Sequence, residues 1–141
     1  MSLHFYSADI DFSLDNPDLV TKWIQTVIRN HERMTGKITY LFCSDDYILD
    51  VNKRFLNHDT YTDIITFDNV EGNLVSGDIL ISIDRVGENA RQFGVSFSQE
   101  LHRVLVHGVL HLLGFKDKSE EDSKMMRAKE NESLQILSSM E

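Results

Sequence analysis

Lys37-Ile-Thr-Tyr-Leu-Phe-Cys43, followed at once by Ser44-Asp45-Asp46, decides the fold class. The first run is rich in β-branched and aromatic residues and reads as a strand. Ser44 with acids behind it is a helix start, leading into Ile48, Leu49, Val51, Asn52 and Phe55. Working back, Leu3 to Ser7 reads as a first strand, and Asn16-Pro17 as an N-cap with proline at the first helical position. Leu19, Val20, Trp23, Ile24, Val27 and Ile28 recur at helical spacing, and Gly36 is expected to end that unit. Trp23 and its apolar neighbours are candidate core.

Working forward, Asp63 to Phe67 predicts a third strand, Asp68 to Gly72 a turn, and Gly77 to Ile83 a fourth strand. Helical character returns over Asp84 to Phe93. Ser98 is expected to cap the most apolar helix, from Gln99 to Leu113. Ser119, with Asp122 three residues on, resembles a capping box for a polar last helix running toward Ser138. The order β-α-β-α-β-β-α-α-α predicts a mixed α/β (α+β) domain over 1–141, with a roughly four-stranded sheet covered by about five helices.

At 141 residues the chain fits one domain, and 41% hydrophobic with 26% charged residues excludes disorder and fibrous repeats. Fourteen Lys+Arg against twenty-three Asp+Glu leave a net charge of −9. General affinity for nucleic acid is therefore weak, and any RNA or DNA must meet a local basic patch, a metal or a partner. The single cysteine, Cys43, excludes an internal disulfide framework and reads as a buried small apolar residue. Apolar stretches fall far short of the ~20 residues that span a bilayer, and no signal segment opens the chain. The expected setting is cytoplasmic, with no membrane partner.

The chemistry concentrates in His107-Gly-Val-Leu-His111-Leu-Leu-Gly114-Phe-Lys-Asp117. Residues four apart share a helix face, so His107 and His111 can point at one ion. Gly114 is placed to end the helix in a left-handed conformation and bring Asp117 back toward the histidines. Two imidazoles and one carboxylate leave a coordination position open, as catalytic zinc sites do. A bare H-x-x-x-H arises often by chance. The glycine and carboxylate that follow, and the cost of burying two unsatisfied histidines on an apolar helix, favour Zn²⁺ or a similar divalent ion. Position 108 is glycine where zinc proteases of the H-E-x-x-H type carry their general base, so peptide hydrolysis is disfavoured.

The stretch from Glu100 to Asp117 closely resembles the signature H-G-x-L-H-L-x-G-y-D-H of the YbeY family, bacterial metal-dependent endoribonucleases of rRNA maturation and ribosome quality control. Asn52, Phe55, Asp59, Thr62-Asp63 and Ile64 to Phe67 resemble a second family block, and Ser76 to Ser82 a third. The resemblance implies a hydrolase acting on ribosomal RNA, with a ribosomal protein or assembly factor as further partner. The chain departs from the family at three places. Asp117 stands where the family has its third histidine ligand, Lys116 where it has an aspartate, and Leu56 where it has an arginine taken to matter for ribonuclease function. An anionic ligand leaves the ion a weaker Lewis acid.

Candidate catalytic residues are Asp63, Arg54 as a stand-in for the missing arginine, and Lys116. Arg103, Lys118 and Thr62 are candidates for substrate contact, the cations toward phosphate. For each cation the plainer reading is a solvated surface, and for Asp63, Asp78 and Asp59 a structural cap. Met125 and Met126 read as packing, and the acidic last helix as a solvated face. His102, five residues before His107, turns about 140° from the metal face; His58 also lies away from it. Two rival readings stand beside the endoribonuclease: a non-catalytic ribosome-assembly factor with a structural metal, and a metal hydrolase on a non-RNA substrate.

Overall fold

Strand β2 (Met34–Cys43) shows how the sheet divides the interior. Its Ile38, Tyr40 and Phe42 face a large core, while Leu41 and Cys43 on the alternate face join a small one. In the computed structural model, which describes residues 2–57 and 62–141, the chain runs β1 (Ser2–Ser7), α1 (Pro17–Asn30), β2, α2 (Asp45–Leu56), β3 (Ile64–Asp68), β4 (Leu74–Ser82), α3 (Ile83–Phe93), α4 (Phe97–Leu112), α5 (Glu120–Met140). That is the predicted order. His58 and Asp59 lie outside the described residues.

The sheet order is β1-β2-β4-β3, with β1, β2 and β4 mutually parallel and β3 antiparallel on the edge of β4. The large core packs Trp23, Ile24, Val27 and Ile28 of α1 and Leu105, Val109 and Leu110 of α4 on one sheet face, with Met126 and Leu137 of α5 beyond them. Its buried polar atoms are satisfied: the Tyr40 hydroxyl donates to the Leu105 carbonyl at 2.8 Å, and Trp23 Nε1 to the Ser133 carbonyl at 2.7 Å. The small core lies under α2, where Ile48 meets Cys43, Ile65 and Leu80. Burial first, then the charges of Asp9, Asp45 and Asp84, pushes the Cys43 thiol up to about 12, as suits a packing residue.

Four local expectations are corrected. Gly36 does not end the first unit but lies inside β2, at a register shift between Thr35 and Ile38. A Cβ there would sit 2.0 Å from Ser76 Oγ, so the glycine marks a close approach of two strands. Ser96, not Ser98, caps α4: its Oγ accepts the Gln99 N–H at 3.1 Å while Gln99 Oε1 accepts the Ser96 N–H at 2.9 Å. That reciprocal pair satisfies two otherwise orphaned donors, which Ser98 has no partner to do. Asn16 precedes Pro17 as expected but is left-handed, with no side-chain capping bond. Met126 is buried as predicted, whereas Met125 is exposed.

Two glycines set how deeply α4 sits on the sheet. A Cβ at Gly77 would lie 2.6 Å from the Phe67 carbonyl and 2.9 Å from Leu112 Cδ2; one at Gly108 would lie 2.9 Å from Ile79 Cγ2. The residue between the two histidines thus faces the helix–sheet interface, and its lack of a side chain is a packing requirement. Among the described residues no helix is long and apolar enough to cross a membrane.

Candidate metal centre

On the exposed side of α4, His107 and His111 stand one turn apart with ring centroids 4.6 Å apart and planes at 80°. The helix then stops. Gly114 adopts φ 104°, its N–H donating to the His111 carbonyl at 3.0 Å and that of Phe115 to the Leu110 carbonyl at 3.0 Å. The reversal carries Asp117 Oδ2 to 3.4 Å from His107 Nε2 and 3.5 Å from His111 Nε2. Ser123 of α5 holds the turn by donating its hydroxyl to the Asp117 carbonyl at 3.0 Å.

The three donor atoms lie within 4.8 Å of one another, and no fourth His, Cys, Asp or Glu joins the group among the described residues. Donors 2.0–2.1 Å from a tetrahedral zinc stand about 3.3 Å apart, so the spacing suits a divalent ion. This group could hold a metal ion.

Its surroundings are charged. His107 Nδ1 donates to Glu130 Oε2 at 2.6 Å, and Glu130 Oε1 accepts from Arg103 at 2.9 Å. Glu130, on α5, is only 7% exposed. Burial pushes its carboxyl up, but the hydrogen bonds from His107 and Arg103 outweigh that and hold it below the ordinary range. Burial also opposes the charged form of His107, yet Glu130 carries it above its usual value; for His111, burial and the neighbouring His107 win and push it down.

A cleft of about 400 Å³ opens beside the triad, lined by Thr62, Asp63, Glu100 and Arg127 as well as His107 and Glu130. Burial raises the Asp63 carboxyl against the opposing pull of His107, and raises that of Glu100, with the Asp63 charge adding to it. A second cleft of about 580 Å³ runs along β3 from Asn52 and Leu56 to His111 and Leu112, and shares Thr62, Ile64 and His111 with the first.

The family model described as endoribonuclease YbeY matches residues 6–138, from the end of β1 almost to the end of α5. The chain belongs to the YbeY family. It is similar to an endoribonuclease YbeY of Flavobacterium johnsoniae, 50% identical over 92% of this chain and 93% of the relative. One from Porphyromonas gingivalis is 48% identical over 96% and 89%. A solution structure from Thermotoga maritima has a TM-score of 0.65 at 22% identity, over 96% of this chain and 89% of that one, which shows a shared fold.

Within this YbeY member the structure brings His107, His111, Asp117, Asp63 and Thr62 to one place. Arg103 is there too but committed, its guanidinium shared between Glu130 and the Asn131 side chain at 3.0 Å. Arg54 is not: 70% exposed on α2, it pairs with Asp50 at 3.1 Å. Lys116 and Lys118 are exposed beside the ligand turn and line neither cleft. His102 packs edge-on against Trp23, away from the site. Glu130, Arg127 and Glu100 are the residues that sequence reasoning missed. For Glu130 the signal was a carboxylate on the buried stripe of α5, in step with Met126, Ser133 and Leu137.

Proposed function

We propose that this chain is a divalent-metal-dependent endoribonuclease that cuts single-stranded ribosomal RNA during rRNA maturation and ribosome quality control in the cytoplasm. His107, His111 and Asp117 are its metal ligands, and Zn²⁺ is the ion that suits two imidazoles and a carboxylate. Bound there, the ion supplies Lewis acidity toward a phosphoryl oxygen and an acidified water. The observation that supports this reading is the three-donor group on the rim of an open cleft. A structural zinc is closed by four protein ligands, and the non-catalytic reading would need a fourth donor beside Asp117, which is 44% exposed. The RNA substrate comes from family membership rather than from charge.

The chain's own residues divide the remaining work. Asp63 faces the cleft across from His107 and is the carboxyl placed to hold or release a proton. Arg127 is the available cation of the cleft: 59% exposed, with its nearest acid, Glu130, 3.7 Å away, it can turn a planar guanidinium to a phosphate. Thr62 sits where the two clefts join and is suited to a ribose or phosphate oxygen. With a net charge of −9, affinity for bulk RNA is low, and a ribosomal protein or assembly factor delivers the substrate.

The test is cleavage of single-stranded RNA by metal-loaded protein beside His111→Ala. Loss of more than about 100-fold in a variant that keeps its fold is expected. Undiminished cleavage by that variant would sink the mechanism.

A further inference from the structure

The buried carboxylate of Glu130 reaches the triad from a helix that contributes no donor to it. We propose that Glu130 is the positioning residue of this centre, fixing the ring of His107 so that Nε2 presents its lone pair to the ion. The inference rests on the metal-site reading above.

A neutral imidazole carries one N–H, and which nitrogen bears it depends on what the other faces. Glu130 Oε2 stands 2.6 Å from His107 Nδ1, and an ionised carboxylate is an acceptor only. The hydrogen is therefore on Nδ1. In that neutral ring Nε2, on the far edge, carries the lone pair, 3.4 Å from Asp117 Oδ2. The carboxylate is itself held. Its Oε1 accepts from Arg103 at 2.9 Å, and the same guanidinium donates to Asn131 Oδ1 at 3.0 Å. One residue turn on, the Ser133 carbonyl takes the Trp23 indole N–H at 2.7 Å, fastening α5 to α1. A buried carboxylate is costly unless paired, and here each oxygen has a partner. Arg103 therefore acts on the metal centre through Glu130, and not as a phosphate contact.

The experiment measures Zn²⁺ affinity by chelator competition and the His107 ring tautomer by ¹⁵N NMR, in wild type, Glu130→Gln and Arg103→Met. The tautomer is read in metal-free protein at a pH above the raised His107 value, where the ring is neutral, so it reports on Glu130 whether or not the metal reading holds. Wild type should show Nδ1–H at His107, and Glu130→Gln a mixture of tautomers with Zn²⁺ bound about 10–100-fold more weakly. Arg103→Met, which leaves both side chains of the pair in place, should weaken Zn²⁺ in the same direction by less. An unchanged His107 tautomer with Zn²⁺ affinity within about twofold of wild type in a folded Glu130→Gln protein overturns the proposal. If that variant does not fold, unchanged tautomer and affinity in Arg103→Met overturn it instead. Failure of the metal reading looks different: wild type and His111→Ala would bind Zn²⁺ equally poorly.

Discussion

The cleft on the α5 side of His111 and the cleft on its β3 side share Thr62, Ile64 and His111, yet their walls differ in kind. The α5 side is lined by ionisable groups: Asp63, Glu100, Glu130 and Asp117 against Arg103 and Arg127. Among the described residues the β3 side has no Lys or Arg in its lining and offers Asn52, Thr66, Leu56 and Leu112, with Asp68 at its end. A phosphodiester seeks cations and an ion, so in the proposed function the scissile phosphate is assigned to the triad and Arg127. A neutral nucleobase suits amide, hydroxyl and apolar walls, and the β3 side offers those. Leu56 gives the β3 side an apolar wall, whereas the cations Arg103 and Arg127 stand on the α5 side.

The largest effect is expected where the clefts meet. Asp117→Ala should weaken Zn²⁺ by more than about 100-fold, measured by chelator competition, because it removes a ligand rather than a ligand's support. Asp117→His, which restores the family's donor, should keep the ion and raise cleavage, since a neutral ligand leaves more positive charge on it. A second tier separates the two walls. Arg127→Glu should raise KM for RNA about tenfold with metal content unchanged, and flatten the log–log salt dependence of binding by about one unit. Identical salt slopes in the two proteins would remove Arg127 from the phosphate path. Leu56→Arg should lower KM severalfold by placing a cation on the β3 side; an unchanged KM would mean that RNA phosphates do not pass there.

The smallest effect concerns Asp63. Burial raises its folded-state value, so the folded protein retains this proton to higher pH than the unfolded chain does, and that stabilisation is lost as pH rises through the folded value. Above that value the group is a charge held in a half-buried site. Metal-free Asp63→Asn should therefore melt above wild type at pH 7, with the gap closing as pH falls into the carboxylate range. Equal melting at pH 7 would place Asp63 in better contact with water than its burial indicates.

Much of this was legible because the signals are local. His107, His111, Gly114 and Asp117 fall within one helix end, where 3.6-residue periodicity and the left-handed glycine fix their relation before any tertiary contact forms. The element order was legible for the same reason, from runs of strand and helix residues with caps between them. The misreadings were also instructive. Gly36 resembles a terminator in sequence, and only its close neighbour Ser76, forty residues on, reveals a strand glycine. Ser96 caps α4 in place of Ser98 because Gln99, three residues on, returns its side chain to the Ser96 N–H.

The sequence by itself determined the class of fold, the three candidate donors at one helix end and the glycine at position 108. The tertiary structure decided which charges serve those donors. Glu130 lies 23 residues from His107, and the two meet only because α5 folds back along α4. Arg103, a cation like any other in the sequence, is held by that carboxylate at 2.9 Å, while Arg127 pairs with it more loosely at 3.7 Å and stays 59% exposed. Periodicity records which face of a helix is buried, but the partner across the interface is chosen by packing between elements far apart in the chain, where no short-range pattern carries the information.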